Sequence, residues 1–136
     1  MPAVELTGIS KSYGPTRAVQ GVSLAVETGE LFGLIGPDGA GKTTLFRILA
    51  TLLLADAGTA TVAGYDVVRD FRAIRNVVGY MPGKFSLYQD LTVQENLEFF
   101  AAVFRTTVRE NYPLVAEIYE QLAPFKNRRG GLCPGA

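Results

Sequence analysis

Gly36-Pro37-Asp38-Gly39-Ala40-Gly41-Lys42-Thr43 is the stretch on which the reading of this chain turns. It satisfies the spacing G-x-x-x-x-G-K-[ST] at every fixed position. A polyphosphate needs many hydrogen-bond donors at close range. Backbone N–H groups supply them only where side chains leave room for the chain to wrap. Gly36, Gly39 and Gly41 allow that wrap, including any positive φ it requires. A helix starting at Lys42 would aim its first N–H groups, and about half a positive charge, at the same point. Lys42 then suits the outer phosphates, the Thr43 hydroxyl a Mg²⁺ ion, and Thr44 an inner phosphate. The candidate nucleotide-contacting residues are therefore Gly36, Pro37, Asp38, Gly39, Ala40, Gly41, Lys42, Thr43 and Thr44. The plainer alternative is a glycine-rich strand-to-helix turn with an incidental lysine. Context counts against it, because the apolar Leu31–Ile35 (LFGLI) runs into the motif and helix formers follow it.

Working outward, Leu31–Ile35 reads as a short strand buried on both faces, and Lys42 to about Leu53 as a helix. Upstream, Val4–Ser10 and Arg17–Val26 read as strands separated by the turn signal Tyr13-Gly14-Pro15, with Glu27-Thr28-Gly29-Glu30 closing the second. Downstream, Thr59–Val62 suggests a strand, Val68–Arg75 a short helix, and Val77–Met81 (VVGYM) a buried strand. Val93–Phe104 carries Val93, Leu97, Phe100, Ala101 and Phe104 at helical spacing. Leu114–Leu122 follows with Leu114, Val115, Ile118 and Leu122 expected to face inward. Thr92 and Glu95 stand at capping-box spacing. Strands and helices alternate after the first thirty residues, which points to an α/β fold. There is no internal repeat or low-complexity segment.

The 136 residues make one modest domain by length, and 48% hydrophobic against 19% charged residues can bury a core. Thirteen basic and thirteen acidic residues cancel, giving no electrostatic case for nucleic acid or an anionic membrane. The longest largely apolar run, Ile48 to Ala55, falls far short of the roughly 20 residues that span a bilayer. No secretory pattern opens the chain. A single cysteine, Cys133, excludes an internal disulfide and fits a reducing compartment. The chain contains no histidine, so histidine acid–base catalysis and histidine-ligated zinc are impossible within it. The expectation is a soluble, cytoplasmic protein without direct membrane insertion.

Three stretches together carry a resemblance: KSYG at Lys11–Gly14, GLIGPDGAGKTT at Gly33–Thr44, and GYMPGKFSLYQDLTVQENLEFF at Gly79–Phe100. The chain resembles the ATP-binding subunit of an ABC transporter, in phrasing nearest the drug-efflux or ABC-2 type exporters. The likeness runs from about Val4 to the end. It implies an α/β phosphate-loop NTPase core of ABC ATPase type with an N-terminal antiparallel β subdomain, and ATP and Mg²⁺ as ligands. It implies a transmembrane permease partner, a homo- or heterodimer of ATP-binding subunits, and a peripheral place at the cytoplasmic face of the membrane. Tyr13 would stack its ring on adenine, a contact worth about 1–3 kcal/mol by analogy with base stacking. The alternative for Tyr13 is a turn tyrosine half-buried on the sheet. Phe85–Tyr88 and Asp90-Leu91-Thr92 would face the membrane partner.

The chain also departs from that family. Gly83 stands where the family has a glutamine that senses Mg²⁺ and the γ-phosphate, and Gln89 lies six residues further on. Leu132-Cys133-Pro134-Gly135-Ala136 replaces the signature L-S-G-G, and Pro134 removes a backbone donor there. Cys133 as a reactive thiol has no neighbouring residue to support it. The chain has no Asp-Glu dipeptide to bind Mg²⁺ and polarise water, and no switch histidine. Leu52-Leu53-Leu54-Ala55-Asp56 imitates the Asp-Glu strand, but Ala57-Gly58 follows and Asp56 is expected in a turn. The expected domain is thus 1–136, a single incomplete ATP-binding domain truncated before the Walker B strand, the N-terminal portion of a longer ATPase. Such a chain binds ATP, while hydrolysis belongs to a full-length relative. The alternative is a non-hydrolysing nucleotide-binding or dimerisation module from a truncated gene. A small phosphate-loop kinase ranks last, because about thirty strand-like residues precede the loop and no arginine-rich lid follows.

Overall fold

The computed structural model describes residues 1–83 and 87–129. The expectations for Phe85, for Cys133 and for the signature-like 132–136 lie outside the described residues. Two compact units divide between Tyr80 and Met81.

In the first unit, β1 (Pro2–Tyr13) and β2 (Thr16–Glu27) form a long antiparallel hairpin about Gly14-Pro15. Both strands outrun the sequence expectation, because bulges interrupt the alternation from which their length is read. At two of these irregular points the orphaned amides find hydroxyls: Gly8 donates to Ser23 Oγ and Gly21 to Ser10 Oγ, each at 2.8 Å. β3 (Ala57–Val62) adds to the far side of β1, and the two-residue β4 (Tyr65–Asp66) follows. The sheet order is β2-β1-β3-β4, with every pair antiparallel. The expected antiparallel β subdomain is therefore present. Gly58, at φ +88°, lets β3 begin against β1, since a Cβ there would collide with the Gly8 carbonyl.

One face of this sheet meets α1 (Lys42–Leu49) and α2 (Phe71–Val77). Leu6, Ile9, Val19, Leu45, Ile48, Ala60, Val62, Val67 and Ile74 make the core. α1 stops four residues short of the expected Leu53: Thr51 turns to φ +66°, and Arg75 holds it through Thr51 Oγ1 (2.8 Å) and the Thr51 carbonyl (3.1 Å). α2 starts at Phe71, three residues beyond the expected Val68, because Asp66 Oδ1 accepts from the Val68 and Arg69 amides and fixes a turn there.

Two expected buried strands are absent. Leu31–Ile35 pairs with no strand among the described residues, and the side chains of Leu31 and Ile35 are fully exposed. Val77 ends α2, and Val78–Met81 continues without a ladder among the described residues, with Met81 exposed. An apolar run becomes a strand only when another backbone takes its N–H and C=O groups.

The second unit is helical. α3 (Val93–Val103) begins at the predicted capping box: Thr92 Oγ1 accepts from the Glu95 amide (3.1 Å), and Glu95 Oε1 accepts from the Thr92 amide (3.0 Å). The carbonyls of Arg128 and Lys126 take the Val93 and Gln94 amides at 2.8 Å each. α4 (Val108–Leu122) starts six residues before the expected Leu114 because Thr107 caps it through the Glu110 amide. Leu114, Val115 and Ile118 were expected to face inward, yet all three are exposed, as are Phe100 and Phe104 of the preceding segment. Helical spacing marks an apolar face but does not supply the surface that covers it.

Candidate functional site

The loop Gly36–Gly41 takes its shape from two left-handed glycines, Gly39 at φ +81° and Gly41 at φ +88°. Gly41 is also the cap residue of α1. A Cβ on it would run into the Ala18 carbonyl of β2, so backbone conformation and close approach both demand glycine. Within the loop the Ala40 amide donates to the Pro37 carbonyl at 3.2 Å, and the Gly41 carbonyl accepts from Leu45 at 3.0 Å. The amides of Lys42, Thr43 and Thr44 open the helix, where no carbonyl one turn back exists to receive them. They form the donor-rich end of the helix dipole.

Lys42 curls over the loop. Its ammonium donates to the Gly36 carbonyl and, at 2.8 Å, to the Pro37 carbonyl. These bonds hold a full positive charge above the wrap. A groove of about 280 Å³ opens at this point, lined by Asp38, Gly39, Ala40, Gly41, Lys42, Thr43 and Thr44. Seven of the nine loop residues singled out from the sequence thus share one surface. Gly36 and Pro37 stand behind it and hold the lysine. In the second unit a larger depression, about 700 Å³, lies on α3 and α4 around Ala101, Val108 and Tyr112, and no glycine lines it.

The groove also has two walls that sequence reasoning missed, Thr16 and Ala18 of β2. Their place follows from the closeness of Ala18 to Gly41, a contact between residues far apart in the chain. The only local trace is that Thr16 and Ala18 alternate on one side of a strand.

Tyr13, the last residue of β1, is 46% exposed. Its hydroxyl lies 3.4 Å from Thr44 Oγ1, and the Lys11 ammonium stands 5.8 Å from its ring centroid. Thr44 itself is 8% exposed. The turn tyrosine and the loop are thereby joined, with part of the ring open to solvent. Asp56 lies in the bend before β3, and its carboxylate accepts from the Ser12 amide (2.7 Å) and the Lys11 ammonium (3.2 Å). Those bonds, the backbone one first, pull its carboxyl below the ordinary range. Asp56 is a structural anchor for the hairpin.

No group of three or more His, Cys, Asp or Glu side chains is placed to hold a metal ion among the described residues. Within the loop the Thr43 hydroxyl is an oxygen that could hold Mg²⁺, an ion that keeps several waters and binds phosphate oxygens. No described helix is long and apolar enough to cross a membrane.

Comparison with known proteins bears on the family and the fold. The chain is 43% identical over 136 residues to the probable multidrug ABC transporter ATP-binding protein YbhF of Escherichia coli, covering 97% of this chain and 24% of that protein. It is 43% identical over 120 residues to the daunorubicin resistance ATP-binding protein DrrA2 of Streptomyces coeruleorubidus, covering 88% and 37%. The Nod factor export ATP-binding protein I of Mesorhizobium japonicum is 40% identical over 118 residues, covering 87% and 35%. The chain thus spans between a quarter and two fifths of the length of these relatives. A solved ATP-binding subunit of an ABC transporter superposes with a TM-score of 0.81 at 25% identity, over 97% of this chain and 56% of that one. The ATP-binding cassette MJ0796, solved with ADP and Pi, gives 0.79 at 22%, which speaks to the fold alone. With the ABC transporter family model matching residues 19–130, the chain belongs to the ABC transporter family.

Proposed function

We propose that this chain binds Mg·ATP as the nucleotide-binding front part of an ABC-type export system. The observation that carries the proposal is the groove at the head of α1, where the left-handed Gly39 and Gly41, the first helix amides and the Lys42 ammonium converge. In this reading Lys42 leaves the Gly36 and Pro37 carbonyls for the outer phosphates. The backbone from Asp38 to Thr43 wraps the β-phosphate, and Thr44 donates to the inner one. Thr43 offers its hydroxyl to Mg²⁺, which when bound neutralises phosphate charge. Tyr13 supplies its half-exposed ring to the adenine. The names of the relatives support a drug-efflux setting; in that setting the chain would work with a permease partner at the membrane and a second ATP-binding subunit.

Hydrolysis is a separate matter. The chain holds no histidine and no Asp-Glu dipeptide, and Gly83 offers no side chain at its position. Nothing within it is equipped to orient and polarise an attacking water, so it binds without efficient turnover. This observation favours a second reading: the chain acts as a non-hydrolysing nucleotide-binding or dimerisation module. Equilibrium Mg·ATP binding to the purified chain, with Lys42→Ala as control, tests the first proposal. Saturable binding lost in Lys42→Ala supports it; no binding, or binding indifferent to Lys42, refutes it. Phosphate release at the background rate under saturating ATP supports the second, and steady turnover refutes it.

A further inference from the structure

We propose that the Tyr13 hydroxyl is a positioning group for the inner phosphate, acting through the side chain of Thr44; this rests on the nucleotide-binding reading above. The two hydroxyls lie 3.4 Å apart, and Thr44 is the third residue of α1, nearly buried yet lining the groove. In a helix, a threonine hydroxyl can turn back onto the carbonyl three or four residues earlier, which would take its proton away from the groove. Tyr13 offers it a different partner from outside the helix.

The direction of this bond follows from proton counting. Each hydroxyl carries one proton and can accept. If Thr44 donated to Tyr13, its lone pairs would face an incoming phosphate, and like would meet like. If Tyr13 donates to Thr44 Oγ1, the threonine proton is released for the phosphate oxygen. An anion in the groove therefore selects the order Tyr13 to Thr44 to phosphate. Each donor in such a chain strengthens the next. At 3.4 Å the pair is within hydrogen-bond reach, and such bonds often tighten around a bound ligand. Ring and hydroxyl of Tyr13 thus have separable tasks, the ring at the base and the hydroxyl at the phosphates.

The experiment compares Mg·ATP with Mg·tripolyphosphate, which has no base to stack, on the full 136-residue chain. Tyr13→Phe keeps the ring and removes the hydroxyl. It is expected to weaken both ligands by the same factor, about fivefold for one hydrogen bond. In a Thr44→Val background the same Tyr13→Phe change should have no further effect, and in a Thr44→Ser background, which keeps a hydroxyl, the loss should reappear. A Tyr13→Phe variant that weakens ATP alone, or neither ligand, overturns the proposal. So does an unchanged loss in the Thr44→Val background, which would mark a general structural effect. If the unsubstituted chain binds neither ligand, the nucleotide-binding reading itself falls and this inference with it. If it binds both and ignores Tyr13→Phe, only the hydroxyl's role falls.

Discussion

Asn96 is the most heavily committed polar side chain among the described residues of the helical unit, and removing it should release the loop before α3. The residue is 2% exposed. Its Oδ1 accepts from the Tyr88 amide at 2.9 Å, and its Nδ2 donates to the carbonyls of Tyr88 (2.9 Å) and Thr92 (3.0 Å), with Leu91 at 3.4 Å. Asn96→Ala breaks three good bonds, each worth about 1 kcal/mol net, and leaves the Tyr88 amide without its acceptor. The expected cost is about 3–4 kcal/mol, a large share of the 5–15 kcal/mol that holds a typical domain. Hydrogen exchange reads it directly: protection of the Tyr88 amide should fall by about 150- to 700-fold, because 1.4 kcal/mol is a factor of ten. Asn96→Asp sharpens the test. It keeps the acceptor but points a second oxygen at the same carbonyls, which repel a carboxylate and raise its folded-state pKa. A raised folded pKa means that the folded state binds more protons than the unfolded state, so stability is fullest below the unfolded value and lost as pH rises. Relative to the unsubstituted chain, Asn96→Asp should therefore destabilise less at pH 4 than at pH 7. A Tyr88 amide equally protected in Asn96→Ala would refute the reasoning, and would assign the loop to the Thr92–Glu95 capping box instead.

Gly41→Ala should damage the groove more than any other one-carbon change. The left-handed backbone alone costs an L-residue about 1–2 kcal/mol, before the collision with the Ala18 carbonyl; Mg·ATP affinity should drop at least tenfold, and affinity within twofold of the parent would refute the close approach. Asp56 predicts a pH dependence: its carboxyl is lowered first by the Ser12 amide and then by Lys11. The stability it contributes is present above the ordinary carboxylate range, about pH 4, and is lost as pH falls through the lowered folded value. Acid titration of Asp56→Asn, followed by circular dichroism, should be flatter than that of the parent, and identical curves would refute the anchor.

What was legible in the sequence was what short spacing determines. The loop and its helix, the Gly14-Pro15 turn and the Thr92–Glu95 box each rest on residues within a few positions of one another, so local geometry alone fixes them. The end of α1 was not legible, because the apolar pattern runs on through Leu52-Leu53-Leu54 with no glycine to stop it. The helix ends there through Arg75, a residue 24 positions away from Thr51. Leu31–Ile35 failed as a strand for the same kind of reason. Its composition is that of a buried strand, but strandhood belongs to a pair, and no described segment is its partner. The exposed Leu114 and Ile118 repeat the lesson on a helix: periodicity identifies a face, whereas burial requires something to press against it. In the candidate site, the loop residues were legible, while Thr16 and Ala18 were not, since their membership depends on how the hairpin crosses the head of α1.

That crossing holds the loop although the segment leading into it pairs with no strand among the described residues. A phosphate-binding loop suspended between a strand and a helix is usually thought of as held by the strand. Here Leu31–Ile35 has no ladder among the described residues, and a restraint is visible on the other side. The hairpin supplies it: Ala18 of β2 lies against Gly41, Val19 belongs to the core with Leu45, and Tyr13 of β1 reaches Thr44. Ile48 carries the same attachment one turn deeper into the core. Helix α1 is thereby seated by its inner face, and its first turn projects the loop outward from that seat. Lys42 then closes the loop on itself through the Gly36 and Pro37 carbonyls. The order of attachments runs from core to helix to loop. Cutting Ile48 to alanine, at a cost of about 2–5 kcal/mol for a fully buried side chain, should therefore weaken Mg·ATP binding although the residue touches no part of the groove.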